Sequence, residues 1–177
     1  MIREILAEKT GVMVVDYQEK LGAAMHQEVL QQGVKNTRNI LTLAELMNIP
    51  VICTEQYPRG LGPTIEALGA LTPSPVPKTT FSAYRTPEIE QGVKDSGRTQ
   101  WIVVGMETHI CVYQTVRDLI RQGHEVWVPQ DASVSRKKSD WMIGVDLMRA
   151  SSAQITSTEA VLFDLLKDGK GLSLIHI

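Results

Sequence analysis

Several features are scarce in this sequence, and each scarcity excludes something. Only two cysteines, Cys53 and Cys111, occur in 177 residues, too few for a disulfide scaffold. No run of about 20 apolar residues appears, so no membrane-spanning helix is expected. Neither sign of charge dominates: 18 Lys and Arg face 20 Asp and Glu, for a net charge of −2. That balance gives no electrostatic reason to expect nucleic acid or a membrane surface as a partner. The short basic run Arg136-Lys137-Lys138 has no interleaved aromatics and reads as a solvated loop. No Gly-x-Gly-x-x-Gly or Walker pattern is present, so no phosphate loop is signalled. Histidines 26, 109 and 124 have no second ligand at metal-binding spacing.

What is present is an ordinary globular mixture, 43% apolar and 21% charged. A chain of this length buries enough surface to fold as one unit without staples. The opening Met1 to Lys9 alternates charge with apolar residues instead of forming an apolar run, so a cytoplasmic setting is expected. A single domain is expected over residues 1–167. Residues 168–177, a glycine-rich break before an unpatterned apolar end, read as a truncated or foreign tail without function.

Short β-branched runs alternate with helical patterns. Strands are expected at Gly11–Asp16, Pro50–Thr54, Pro75–Lys78, Thr99–Gly105, Glu125–Pro129 and Ala153–Thr156. Helices are expected at Asn36–Asn48, from Thr86-Pro87 onward, at Thr108–Gln122, at Ser139–Arg149 with Ser139 as N-cap, and at Thr158–Lys167. Six such alternations imply an α/β fold with a mainly parallel sheet covered on both faces. Between Gln56 and Pro77 lie five of the eight prolines, so that stretch is a long loop, either functional or a disordered excursion.

In open α/β sheets, ligands bind at the carboxyl ends of strands. Three reactive side chains fall there: Asp16, Lys78 and Cys111. Each has an ordinary alternative as turn former, surface cation or small buried hydrophobe. Cys111 stands between a buried strand and a helix start, where free amides and the helix dipole favour a thiolate. Those amides could also form an oxyanion hole. Asp16 is a candidate proton acceptor and Lys78 a candidate electrostatic partner. Cys53, inside a strand run, reads as core. Asp131 or Arg136 could reach the same end of the sheet, or form a loop-fixing ion pair.

Four segments occur together in order: Val14-Val-Asp16-Tyr-Gln18, Pro77-Lys78 with Phe81-Ser-Ala-Tyr84, Gly105-Met-Glu-Thr-His-Ile-Cys111-Val, and Asp131-Ala-Ser-Val-Ser-Arg136. With them the chain resembles the isochorismatase-like cysteine hydrolases, which include nicotinamidases and N-carbamoyl-amine amidohydrolases. The resemblance implies a six-stranded parallel sheet in a three-layer α/β/α sandwich. It implies a catalytic triad of Asp16, Lys78 and Cys111. It further implies a cis peptide between Met106 and Glu107, an oxyanion hole from the Glu107 and Cys111 backbone N–H groups, and a homo-oligomer.

Tyr17, Gln18, Tyr57, Phe81, Tyr84 and Tyr113 are the candidates for the pocket wall. The metal-binding Asp-x-His of nicotinamidases has no counterpart in Thr54-Glu-Gln-Tyr-Pro-Arg-Gly60, which instead looks like the isochorismatase domain-containing branch. No metal and no cofactor are therefore expected. The resulting expectation is a metal-independent cysteine hydrolase acting on a small amide or related C–N bond. The alternatives are a non-hydrolytic scaffold of the same fold, or a thiol redox role for Cys111.

Overall fold

The computed structural model describes residues 4–168. Of the expected tail, 169–177 lie outside the described residues. The elements run β1 (Thr10–Val15), α1 (Glu19–Ala23), α2 (Gln27–Leu46), β2 (Val51–Gln56), α3 (Pro58–Leu61), α4 (Glu66–Gly69) and β3 (Val76–Lys78). Then come α5 (Pro87–Asp95), β4 (Gln100–Met106), a π-helical turn (Thr108–Val112) and α6 (Tyr113–Arg121). The chain continues through β5 (Glu125–Pro129), β6 (Ser133–Val134), α7 (Lys138–Ala150), β7 (Gln154–Thr156) and α8 (Thr158–Leu166).

All strand pairs are parallel, in the order β3-β2-β1-β4-β5-β7. The six expected strands form this path, and the two-residue β6 adds a seventh beside the end of β4. The central strands are apolar along their length because both of their faces are covered. Alternation then decides the side. Val12, Val14, Ile102 and Val104 pack with Ile40, Leu43, Val161 and Leu162, in the layer of α2 and α8. Met13, Val15, Trp101 and Val103 pack with Ile89, Val93, Val116, Leu119 and Met148, in the layer of α5, α6 and α7. A one-residue shift would exchange the two sets.

Strand order reverses between β1 and β4: β2 and β3 lie to one side, β5 and β7 to the other. Crevices in open sheets form at such switch points. Two backbone features shape this one. Gly105 has φ +146°, and a Cβ there would come within 2.1 Å of the Val15 carbonyl oxygen, its register partner on β1. Only glycine allows that approach. Directly after β1, Asp16 has φ +52°, a region that Asp tolerates better than most residues.

The structure differs from expectation at three helix starts. α2 begins at Gln27, nine residues ahead of Asn36. Its first half is mostly polar and makes a weak periodic signal, yet Gly33 passes close to the Tyr17 hydroxyl and Val134. Ser139 lies inside α7, whose N-cap position is Lys137 without a side-chain cap. Thr86 holds the N-cap position of α5, but its hydroxyl lies 3.0 Å from the Thr80 hydroxyl and caps nothing. The segment 56–77 is an ordered excursion containing α3 and α4. Among the described residues no helix is long and apolar enough to cross a membrane.

Candidate active site

The site is built from the carboxyl ends of β1, β2, β3 and β4. Asp16 follows β1 and is fully buried. Its Oδ1 accepts the Thr54 hydroxyl at 2.7 Å, and its Oδ2 lies 2.7 Å from the Lys78 ammonium. Lys78 closes β3, where register sets it opposite Gln56 on β2. Its Nζ also donates to Gln56 Oε1 at 2.6 Å and to the Thr80 and Phe81 carbonyls at 3.0 and 3.2 Å. A buried ammonium therefore has four oxygen partners, which offsets much of its lost hydration. Gln56 and Thr54 are two residues apart on β2, so both point to the same face. The sequence reading passed over both, although their spacing from a strand end was the available signal.

Cys111 lies in the π-helical turn and is 6% exposed. The wide turn is closed by the Val112 N–H bonding the Glu107 carbonyl five residues back, at 3.3 Å. Such turns occur often at functional positions. The charges of Asp16 and Lys78 both bear on the Cys111 thiol, so the three expected groups lie near one another. One expectation is overturned here. The thiol pKa is not lowered by the helix start but pushed up to about 12. Burial is the largest cause and the Asp16 charge the next, with the Lys78 charge opposing them. Cys111 therefore rests as a thiol beside a carboxylate. Its carbonyl accepts the Thr115 hydroxyl at 2.7 Å, and Thr115 also accepts the Ala83 N–H at 2.9 Å.

A second ion pair holds the other flank of the turn. The Met106–Glu107 peptide bond is cis. The buried Glu107 carboxylate accepts the Arg136 backbone N–H and Nε at 3.1 Å, and Arg136 Nη2 lies 2.9 Å from it. Burial alone would raise the Glu107 carboxyl, but the bonds and charge of Arg136 outweigh it and hold the carboxyl below its usual range. The neighbouring Ser135 hydroxyl accepts the Thr108 N–H at 3.1 Å and lies 3.2 Å from His109 Nδ1. Arg136 thus forms the loop-fixing ion pair, with Glu107. Asp131 turns away and accepts the N–H and hydroxyl of Thr158 at 2.8 and 3.0 Å.

The six pocket-wall candidates divide. Tyr17 is fully buried in the α2 layer with its hydroxyl donating to the Ala132 carbonyl at 3.1 Å, so it is core and not wall. Gln18 is also fully buried. It fastens the excursion by donating to the Gln56 and Gly62 carbonyls and accepting the Gln56 N–H. Tyr84 packs in the α5–α6 layer with its ring 6.3 Å from that of His124. Those three corrections share one cause: tertiary packing claimed side chains that looked free in sequence. Tyr57 and Phe81 are exposed, while Tyr113 is partly buried beneath the Arg117 guanidinium.

At the place where nicotinamidases carry a metal-binding segment, Glu55 Oε1 accepts the Thr64 N–H and hydroxyl at 2.6 and 2.8 Å. Among the described residues no group of three or more His, Cys, Asp and Glu could hold a metal ion.

Comparison with known proteins agrees with the fold. The isochorismatase domain model matches residues 10–160. Isochorismatase domain-containing protein 2 of Danio rerio is 36% identical over 167 residues, covering 93% of this chain and 83% of the relative. The solved structure of the MAR1 ribonuclease from Caenorhabditis elegans is 31% identical and superposes with a TM-score of 0.88, covering 97% and 90% of the two chains. The YcaC gene product of Escherichia coli, an octameric hydrolase of unknown specificity, shares the fold at 23% identity, with a TM-score of 0.89 over 98% and 88% of the chains. A family match across most of the chain, on a three-layer sandwich whose switch point holds a buried carboxylate, ammonium and thiol, makes this chain a member of the isochorismatase-domain family.

Proposed function

We propose that the protein is a metal-independent cysteine hydrolase that cleaves a small amide or related C–N bond through a thioester on Cys111. The observation that carries this reading is the Asp16–Lys78 pair, 2.7 Å apart and fully buried, close enough to Cys111 for both charges to act on its thiol. Because the thiol is protonated at rest, deprotonation must accompany attack. Asp16 takes the thiol proton as Cys111 Sγ adds to the substrate carbonyl. The backbone N–H groups of Glu107 and Cys111 hold the resulting oxyanion. Asp16 then gives the proton to the departing amine, and the C–N bond breaks to leave a thioester. Water attacks the thioester with Asp16 as base, releasing acid and thiol. Lys78 balances the charge on Asp16 throughout.

A thiol pushed up to about 12 has little thiolate at neutral pH, which disfavours a peroxide-sensing role. A scaffold would have no use for a buried ion pair placed against a thiol. Tyr57, Phe81 and Tyr113 line the approach in this proposal, and copies of the chain associate, as in the octameric relative from Escherichia coli.

The test is a panel of small amides and carbamoyl amines with wild type and Cys111→Ala, each with and without chelator. The proposal expects turnover by wild type, unaffected by chelator, and at least about a thousandfold less by Cys111→Ala. Turnover that survives Cys111→Ala, or vanishes with chelator, overturns it.

A further inference from the structure

Behind Arg136 lies a cavity of about 710 Å³ that the proposed chemistry does not use. It opens between the first turns of α2 and α7, and Cys111, Asp16 and Lys78 are not among its lining residues. Its volume falls in the range of sites for small organic ligands.

The walls are apolar and partly fixed. Val29 on α2 is 45% exposed and faces this space with Val134 and Trp141. The Trp141 indole N–H donates to the Gln130 and Ser133 carbonyls, both at 3.1 Å. Its polar end is thus satisfied within the fold, and the ring serves as wall.

Charges of both signs stand at the rim. Two carboxylates line the cavity, Glu28 and Asp131. Asp131 accepts the Thr158 N–H and hydroxyl through Oδ1 and keeps its charge, so both carboxylates count at the rim. Against them stand Arg136 and Lys138. Arg136 is 54% exposed, and Glu107 engages its Nε and Nη2 but not its Nη1. A guanidinium has five donors in one plane, so an edge remains for a second carboxylate.

We propose that this cavity is a binding site for a small apolar carboxylate, with its ring or chain against Val29 and Trp141 and its carboxylate on Arg136. The site is independent of the hydrolase reading, so either can fail alone. It also places a ligand two bonded partners from the nucleophile turn, through Arg136 and Glu107.

Calorimetric titration with benzoate, and with neutral benzamide as control, tests the proposal. Benzoate binds wild type at millimolar concentration or better, and benzamide at least about tenfold more weakly. Val29→Asp, a change at an exposed position that leaves the fold intact, weakens benzoate at least about tenfold by placing a like charge in the wall. Arg136→Gln does the same, with circular dichroism confirming the fold. Cys111→Ala binds as wild type. Equal affinity for benzoate and benzamide, or binding untouched by Val29→Asp, overturns the proposal. So does loss of binding in Cys111→Ala, which would put benzoate at the thiol. Absent binding, with sedimentation showing that Val29→Asp dissociates an oligomer, would assign the cavity to a second copy of the chain.

Discussion

Cys53 and Cys111 make an informative pair. Both are buried, and burial pushes both thiols up, to about 11 and about 12. Cys53 lies within β2, with its sulfur 3.9 Å from the Thr64 hydroxyl and apolar core around it. Cys111 lies in a π-helical turn near a carboxylate whose charge acts on it, with an ammonium paired to that carboxylate. By thiolate content alone, neither is a nucleophile at neutral pH. What separates them is a proton acceptor within reach. In the proposed hydrolysis the attack of Cys111 on a carbonyl depends on the Asp16–Lys78 pair, and the comparison can be broken by disturbing that pair.

The largest effect is expected from Lys78→Met. It removes the ammonium and leaves the buried Asp16 carboxylate with the Thr54 hydroxyl but without its paired cation. Breaking a buried pair from one side costs about 3–5 kcal/mol. Urea unfolding should show that loss, and adding Asp16→Asn to Lys78→Met should recover at least about 1 kcal/mol of it. No recovery in the double variant would mean that the pair is not the unit that the geometry indicates.

The second effect separates the thiols chemically. In Asp16→Asn the negative charge and the proton acceptor are both gone, while the Lys78 charge remains beside Cys111 and lowers its pKa. Labelling of Cys111 by iodoacetamide at pH 7.5 should then speed up by about tenfold, even as hydrolysis is lost. Cys53 labelling in the folded protein should stay slow in both forms, as read by mass spectrometry of the two cysteine peptides. Faster labelling of both sites together would report loosening of the fold, and would remove the electrostatic explanation.

Much of this contrast was legible in the sequence. The β-branched runs placed β1, β2, β4 and β5, and the parallel pattern placed Asp16, Lys78 and Cys111 at strand ends on one side of the sheet. The non-local terms were not legible. Register between β2 and β3 sets Gln56 against Lys78, and no local pattern encodes register in a sheet buried on both faces. The sign of the Cys111 shift was misread for the same reason. A helix dipole is a local property that favours thiolate, whereas burial and the Asp16 charge come from chain segments far away in sequence. Tyr17 and Gln18 adjoin Asp16 in sequence, yet the turn after Asp16 sends one side chain into the core and the other to the excursion.

The smallest effect uses Cys53 as the control for Cys111. Its folded pKa, about 11, exceeds the unfolded value of about 8.5. Between those values the unfolded chain loses the proton and the folded chain keeps it. The contribution to stability is thus full below about pH 8.5 and declines as pH rises toward 11. From pH 8.0 to 9.5 one such thiol accounts for about 1 kcal/mol of lost stability. Cys53→Ala should lower stability at pH 8.0 through lost packing, and yet show a fall between pH 8.0 and 9.5 that is about 1 kcal/mol smaller than in wild type. Cys111→Ala should flatten the same decline by a similar amount, because its pKa lies higher still and the unfolded value governs this window. Urea titrations of the three proteins at the two pH values measure all of these terms. An unchanged slope in Cys53→Ala would mean that this thiol titrates normally in the fold, and that burial alone does not account for the rise at Cys111. Equal flattening by both variants would show that both thiols keep their protons in the fold across this window, so that thiolate content at rest does not distinguish them.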